Sequence, residues 1–246
     1  MSGPERGLVI VGDVHLDRDD PAVPEFVAFL DAVAGTASRL VLAGDLFEIW
    51  IGRRELEGPH HREVVGALSA VRGRGVFVRY LEGNHDYRIG PLHEGGAFDE
   101  VSGSGVVERC GDGTLLAIHG DLVDSSDRLY RAWRAVSRSG AVWLLFNALS
   151  PRSRLRLADS LRRRLGHGNR SYRGTIPEAA IRRYAADRFR EGRSAVVLGH
   201  FHVERDLEAV PPSPPGRILV LPEWKGSRRH LRVAPDGRPA FERSTF

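Results

Sequence analysis

The chain has 246 residues, 41% hydrophobic and 28% charged, a composition typical of one soluble globular domain, with or without a sizeable insertion. The single cysteine, Cys110, excludes an intrachain disulfide and is typical of a reducing compartment. The N-terminal residues do not form a signal peptide, and no apolar run is long enough to span a bilayer. We therefore expect a cytoplasmic protein in which residues 1–246 form a single domain.

Charge is unevenly distributed along the chain, although the net charge is only +4. Residues 151–193 hold 13 arginines against four acidic residues, so this segment alone carries about +9. A basic segment suits an anionic substrate or an anionic membrane surface, and the alternative is a solvated face without a ligand. Because Lys225 is the only lysine, codon usage explains the choice of arginine but not its clustering.

Short apolar runs rich in β-branched residues alternate with helical patterns. A first strand is expected at 8–11, a helix at 21–34 that Gly35 ends, a second strand at 40–43, a helix around 64–71 and a third strand at 76–81. Further strands are expected at 115–118, 195–198 and 218–221. This alternation predicts an α/β fold whose strands are covered on both faces.

Residues 122–193 interrupt the alternation, because they have the pattern of consecutive helices with no clear strand between them. We interpret this segment as a helical lid inserted into the α/β body. Its most apolar part is 141–149. We expect this part to pack against the body of the protein. The alternative is that it forms a wall for an acyl chain or contacts a membrane.

Five polar clusters each follow a predicted strand. They are Gly12-Asp13-Val14-His15, Gly44-Asp45, Gly83-Asn84-His85-Asp86, His119-Gly120-Asp121 and Gly199-His200-Phe201-His202. Ligands of α/β sheets bind outside the carboxyl ends of the strands, so loops from one rim can converge on one point. The sequence therefore predicts a single site built from all five clusters.

The side chains of these clusters are the ligand types that divalent cations need. The two carboxylate oxygens of Asp45 can bridge two ions, Asn84 offers a carbonyl oxygen, and the histidines offer imidazole nitrogens. This mixture suits Mn²⁺, Fe²⁺ or Zn²⁺ better than Ca²⁺. Two ions about 3.5–4 Å apart clamp a phosphoryl group and generate hydroxide from water. The expected protein is a two-metal hydrolase.

Other polar residues of the clusters have supporting roles in this interpretation. His85 can protonate a leaving oxygen or stabilise phosphate charge in the transition state. Asp86 and Asp121 can orient the histidines, or can simply cap turns. The histidines outside the clusters are expected to be surface or packing residues: His60, His61, His93, His167 and His230.

The five clusters resemble the pattern of the calcineurin-like metallophosphoesterases: Asp-x-His, Gly-Asp, Gly-Asn-His-Asp/Glu, His and Gly-His-x-His. All of its elements occur in order between residues 12 and 202. The resemblance implies a β-sandwich flanked by helices, in four αββα layers, with a dinuclear centre. One ion is then held by Asp13, His15, Asp45 and His202, and the other by Asp45, Asn84, His119 and His200. His85 is then the catalytic histidine.

A narrower resemblance is to the bacterial UDP-2,3-diacylglucosamine diphosphatases of lipid A synthesis. It is carried by residues 44–52, by Asp127 and Tyr130 after the His-Gly-Asp cluster, by the helical insertion, and by Trp224, Gly226 and Ser227. It implies cleavage of the pyrophosphate of UDP-2,3-diacylglucosamine to UMP and 2,3-diacylglucosamine 1-phosphate. It also implies Mn²⁺ as the usual metal and a lid that houses the acyl chains.

A substrate of this kind gives the arginine-rich lid two uses, which are binding of pyrophosphate and peripheral contact with the cytoplasmic face of the inner membrane. Candidate headgroup contacts are Arg88, Tyr130, Arg134, Asn169, Arg170 and Arg173. The alternative for these residues is surface charge and packing within the lid.

The chain departs from the diphosphatase pattern at three places. His85 stands where many members have arginine, Asp124-Ser125 replaces a Cys-Thr pair, and Val203-Glu204 replaces Arg-Pro. One alternative is therefore another dimetal phosphoesterase, acting on a nucleotide, a phosphomonoester or a phosphodiester. A second alternative is a metal-free binding scaffold on the same fold. Nucleic acid is not an expected partner, because the basic segment lacks a further nucleic-acid motif.

Overall fold

The computed structural model of the chain describes residues 6–168 and 176–244. The strands are β1 (Gly7–Val11), β2 (Ala37–Leu42), β3 (Trp50–Ile51), β4 (Phe77–Leu81), β5 (Asp86–Tyr87), β6 (Glu100–Ser102), β7 (Val106–Cys110), β8 (Gly113–Ile118), β9 (Ala195–Leu198), β10 (Arg205–Glu208), β11 (Arg217–Val220), β12 (Arg229–Val233) and β13 (Pro239–Arg243). The helices are α1 (Ala22–Thr36), α2 (Pro59–Gly73), α3 (Gly90–His93), α4 (Arg128–Ser137), α5 (Gly140–Ala148), α6 (Pro151–Gly168), α7 (Glu178–Arg190) and α8 (Trp224–Ser227).

Two sheets form the centre of the molecule. The first has the strand order β13-β12-β1-β2-β4-β6 and the second has the order β10-β11-β9-β8-β7. Strands β1, β2, β4 and β6 pair in parallel, as do β8, β9 and β11. Leu8 and Ile10 of the first sheet share a buried core with Ala117 and Val197 of the second. The two sheets therefore pack face to face as a sandwich.

Helices cover the outer face of each sheet. Val9 and Val11 alternate with the inward residues of β1 and pack with Phe26 of α1 and Leu68 of α2. On the other side, α7 packs on the second sheet. The layers are therefore helix, sheet, sheet and helix, which confirms the expected αββα fold. One face of each sheet packs against helices, and the opposite face packs against its partner sheet.

The predicted strands are all present, but several others have no clear signal in the sequence. The short or polar strands β3, β5, β6, β10 and β13 lie at the periphery, as does β7. Gly35 does not end the first helix, because α1 continues to Thr36. A Cβ at Gly35 would meet no atom within 4 Å, so this glycine lies on an open face of the helix.

The insertion contains α4, α5 and α6, followed by α7, whose Ile181 and Phe189 are buried against the second sheet. The expectation that 141–149 packs into the body is wrong for most of this segment. In α5 only Phe146 is buried, and Leu144 and Leu145 are 71% and 69% exposed. Within residues 6–168 and 176–244, no helix combines the length and apolar composition needed to cross a bilayer.

Candidate metal centre

The five polar clusters meet at one edge of the sandwich. Three of them follow β1, β2 and β4 of the first sheet, and two follow β8 and β9 of the second. Ligand atoms lie within 4.8 Å of one another in three groups: Asp13, His15 and His202; His15, Asp45 and His85; and Asp13, Asp45 and His119. The fold therefore brings together side chains that are up to 189 residues apart in the sequence.

One half of the centre is formed by Asp13, His15 and His202. The Nε2 atoms of His15 and His202 face each other at 3.2 Å. His202 Nε2 lies 3.5 Å from Asp13 Oδ1, and His15 Nε2 lies 4.0 Å from Asp45 Oδ2. Two imidazole nitrogens and two carboxylates therefore lie close together in this half of the centre.

The other half is built around Asn84. Its Oδ1 lies 2.9 Å from His119 Nε2 and 2.9 Å from His200 Nδ1. His119 Nε2 also lies 3.4 Å from Asp45 Oδ2. Asp45 therefore borders both halves, as a carboxylate that bridges two ions must.

Electrostatics show why this cluster suits cations. Asp13, His15 and Asp45 are at most 1% exposed, and buried charges need close counter-charges. Burial would raise the pKa of Asp45, but the adjacent His119 and His85 hold it well below its ordinary value. Burial lowers the pKa of His15 to about 3, so this ring is neutral with a lone pair to offer. Ionised carboxylates, a neutral imidazole and an amide oxygen are the donor set of a divalent metal site.

Backbone strain accompanies the convergence of these ligands. Five of the residues concerned have positive φ angles: Asp13 (51°), His15 (50°), Asp45 (52°), His200 (71°) and His202 (57°). Each such conformation costs about 1–3 kcal/mol and persists only where the surrounding structure imposes it. Strain of this kind is concentrated at functional sites.

The glycines of the motifs allow the ligand loops to approach each other. A Cβ at Gly44, where φ is +94°, would lie 2.7 Å from His119 Nδ1. A Cβ at Gly83 would overlap the Asp45 carboxylate, and one at Gly199 would lie 2.8 Å from Asp13 Oδ2. Any larger residue at these positions would displace a ligand.

His85 is held in one orientation by the backbone. Its Nδ1 lies 2.7 Å from the carbonyl oxygen of Glu48, to which it donates, and its amide N donates to Asp45 Oδ1 at 2.9 Å. The other ring nitrogen, Nε2, faces the centre at 3.9 Å from Asp45 Oδ2. This geometry directs Nε2 toward a group bound at the centre.

The two supporting aspartates have different partners. Asp86 Oδ2 accepts hydrogen bonds from the backbone N of Asp45 and of Gly83, at 2.9 and 2.8 Å, so it joins two ligand loops rather than a histidine. Burial, reinforced by the charge of Asp45, raises the pKa of Asp86 to about 7. Asp121 instead binds two side chains of α4.

Tyr130 and Arg134, two expected headgroup contacts, bind Asp121. The Tyr130 hydroxyl donates to Asp121 Oδ2 at 2.6 Å, and Arg134 Nε donates to the same oxygen. This contact anchors α4 beside His119. Arg138, which the sequence did not single out, adds a second anchor because it donates to the carbonyl oxygen of Gly83.

Arg88 is the other expected headgroup contact among the described residues. The Arg88 guanidinium lies over the Trp143 ring of α5, 5.4 Å from its centroid. Asn169, Arg170 and Arg173 lie outside the described residues. Of the other histidines, His61, His93 and His230 are buried packing residues, and the His167 side chain is outside the described part of the chain.

An apolar cavity of about 180 Å³ is walled by helices α4, α5 and α6 and by two short strands. Its walls include Ile51 of β3, Tyr87 of β5, and Trp133, Trp143, Phe146 and Leu161 of the three helices. Tyr87, one of these wall residues, belongs to the strand that follows His85.

Comparison with known proteins identifies the class to which this architecture belongs. The calcineurin-like phosphoesterase family matches residues 8–204. The chain belongs to this family and is a metal-dependent hydrolase.

More specific similarity is to proteins named UDP-2,3-diacylglucosamine hydrolase. That of Chromohalobacter salexigens is 28% identical, with 97% of each chain covered, and that of Salmonella agona is 31% identical, with 93% of this chain and 95% of the relative covered. Among solved structures, a predicted phosphoesterase of Streptococcus pneumoniae is 14% identical with a TM-score of 0.44, covering 98% of this chain and 90% of that chain.

Proposed function

We propose that this protein cleaves the pyrophosphate of UDP-2,3-diacylglucosamine, releasing UMP and 2,3-diacylglucosamine 1-phosphate. Relatives of that name cover almost the whole chain. The observation that carries the proposal is the apolar cavity walled by Tyr87, Trp133, Trp143 and Phe146, because its lining suits an acyl chain. Burial of each methylene group of an acyl chain contributes about 0.8 kcal/mol to the free energy of binding. Even part of an acyl chain would therefore bind in this cavity with substantial affinity.

The residues of the centre fit two divalent cations. Asp13, His15, Asp45 and His202 would hold one, and Asp45, Asn84, His119 and His200 the other. Bound cations would polarise the phosphoryl oxygens and activate water. We propose Mn²⁺ as the native ion, with Fe²⁺ or Zn²⁺ as alternatives, because oxygen and imidazole donors suit all three.

The chain's own groups complete the reaction. His85, fixed through Nδ1 by the Glu48 carbonyl, presents Nε2 to donate a proton to the leaving phosphate oxygen. Arg134 and Tyr130 hold Asp121 and so keep α4 over the centre, where the lid restricts access of bulk water. Arg88, Asn169, Arg170 and Arg173 remain proposed contacts for the anionic headgroup.

We further propose that α4, α5 and α6 of the segment 122–193 act as one lid that touches the inner membrane from the cytoplasmic side, whereas α7 of the same segment packs on the second sheet as part of the body. Leu129 is exposed on α4, a helix that also carries Arg128 and Arg131, and Leu144 and Leu145 are exposed on the adjoining α5. Apolar side chains with neighbouring cations are typical of helices that lie at a lipid–water interface.

The direct test is a comparison of two substrates with the purified Mn²⁺ protein. We expect release of UMP from UDP-2,3-diacylglucosamine with a far higher kcat/KM than hydrolysis of a generic aryl phosphate. Comparable values would instead favour a second candidate, a dimetal phosphoesterase of small phosphoesters. That candidate is supported by His85, which matches the general pattern of the superfamily rather than the arginine of many diphosphatases.

A further inference from the structure

The C-terminal end of α4 carries a guanidinium group that contacts the loop after β4. Arg138 directly follows the last residue of α4, and its backbone N donates to the carbonyl oxygen of Arg134. Its guanidinium donates to the carbonyl oxygen of Gly83 and, at 3.3 Å, to Glu82 Oε2. The side chains of Arg138 and Glu82 are only 16% and 14% exposed, so salt and solvent screen this contact weakly.

The Gly83 carbonyl lies next to two residues of the candidate metal centre. Its oxygen and the backbone N of Asn84 belong to the same peptide unit, which is planar. The hydrogen bond from Arg138 therefore fixes the plane from which the Asn84 side chain extends toward His119 and His200. His85 is the next residue along the chain.

Glu82 closes the same loop from the other side. Its Oε1 accepts from the backbone N of Ile89 at 2.6 Å, while its Oε2 accepts from Arg138. The Arg138 guanidinium also lies over the Tyr87 ring, 5.1 Å from its centroid, in cation–π geometry. A single side chain of the lid thus contacts the residues before and after Asn84 and His85.

This set of contacts requires an arginine. A planar guanidinium can donate to two acceptors and lie flat on a ring at the same time, whereas the ammonium group of a lysine cannot. The other contacts of α4 with the centre are different, because Tyr130 and Arg134 both bind Asp121. Helix α4 is therefore bound to the ligand loop after β4 and to the ligand loop after β8.

We propose that Arg138 is a positioning residue for phosphoester hydrolysis, supplied by the lid to the loop that carries Asn84 and His85. It acts through the Gly83 carbonyl rather than on a bound ion. The assignment rests on the roles proposed above for Asn84 and His85, but it does not depend on the lipid substrate.

The lid then makes two separable contributions. Trp133 and Leu161 wall the apolar cavity, so they affect only substrates that have an acyl chain. Arg138 affects the reaction of every phosphodiester, including one too small to occupy that cavity. A merely structural Arg138 would change the melting temperature of the protein but not the kcat of the folded enzyme.

The test is steady-state hydrolysis of bis(p-nitrophenyl) phosphate over a titration of Mn²⁺. Arg138→Met removes the guanidinium and keeps most of the aliphatic side chain. We expect it to lower kcat about 10–100-fold and to raise the Mn²⁺ concentration for half-maximal activity about tenfold, the usual effect of losing a group that orients a metal ligand. Arg138→Lys should give an intermediate loss, because an ammonium group cannot make all three contacts.

Two matched variants control for other effects of changing the lid. Arg128→Met removes an exposed arginine from the same helix, and Leu161→Ala enlarges the apolar cavity. Both should leave kcat and the Mn²⁺ requirement for the small diester unchanged. Circular dichroism shows whether each variant is folded, and Arg138→Lys decides the question if Arg138→Met is not.

The proposal would be overturned if the folded Arg138 variants kept the kcat and the Mn²⁺ requirement of the unaltered protein. It would also be overturned if Leu161→Ala caused the same losses, since the effect would then belong to the lid in general. Asn84→Ala should raise the Mn²⁺ requirement at least as much as Arg138→Met. If it does not, the proposed set of metal ligands is wrong, which is a separate failure from that of the role of Arg138.

Discussion

Asp45 and His119 follow strands of different sheets, yet Asp45 Oδ2 and His119 Nε2 lie only 3.4 Å apart. Asp45 follows β2 of the first sheet, and His119 follows β8 of the second. The centre therefore spans the edge of the sandwich and depends on the packing between its sheets. Burial would lower the pKa of His119, but the charge of Asp45 and its hydrogen bond to His119 raise this pKa to about 10.

Replacement of His85 separates proton transfer from metal binding. We expect His85→Ala to lower kcat by about 10²–10⁴, the usual contribution of a general acid, because Nε2 faces the centre. Metal content by mass spectrometry should stay at that of the unaltered protein, since His85 is not among the proposed ligands. Loss of metal together with activity would mean that His85 holds an ion.

Gly83→Ala tests the close approach of the ligand loops. The added Cβ would overlap the Asp45 carboxylate, so we expect loss of bound metal and at least about a hundredfold loss of activity. Gly66→Ala is the matched control, because a Cβ there meets no atom within 4 Å. That change lies within α2 and should stabilise the protein by up to about 1 kcal/mol. An active Gly83→Ala protein would contradict the role assigned to this glycine.

The metal-binding loops could be predicted from the sequence because each short motif follows an apolar strand and all five occur in order. The second sheet was expected only from the family resemblance and not from the pattern of the strands themselves. An apolar run such as Leu8-Val9-Ile10-Val11 indicates burial on both faces, but it does not say whether a helix or a sheet supplies the cover. Likewise, the apolar composition of α5 did not reveal that Leu144 and Leu145 face outward. Composition alone does not show which apolar side chains have another element to pack against.

His230 should make the stability of the protein depend on pH. Burial, together with the nearby charge of Arg232, lowers the pKa of His230 to about 4 from an ordinary value of 6.5. The unfolded chain therefore binds a proton between pH 6.5 and 4 that the folded chain does not. The stability that neutral His230 contributes is fully present above about pH 6.5 and is lost as pH falls toward 4.

The variant His230→Phe removes this titration while keeping a ring beside Phe29. Urea unfolding at pH 7 and pH 4.5, in the presence of EDTA, measures the effect. We expect the variant to lose about 2 kcal/mol less than the unaltered protein between these two pH values. Equal losses in the two proteins would show that His230 does not titrate as proposed.

The exposed leucines of α5 provide a test of membrane contact. Leu144→Asp combined with Leu145→Asp should greatly reduce cosedimentation with vesicles that contain phosphatidylglycerol, because it places two negative charges on the surface proposed to face the lipid. Both side chains are exposed, so stability should change by no more than about 0.5 kcal/mol per substitution. Val210→Asp, at an exposed site outside the lid, is the control. Undiminished binding by the double variant would exclude this surface as the contact.

The two-metal centre is tested most directly by X-ray diffraction at the manganese absorption edge from crystals grown with Mn²⁺. We expect two anomalous peaks about 3.5–4 Å apart, one on each side of the Asp45 carboxylate. One of them should lie against His15 and His202, and the other against Asn84, His119 and His200. A single peak, or peaks remote from Asp45, would contradict the dinuclear centre and the hydrolysis that depends on it.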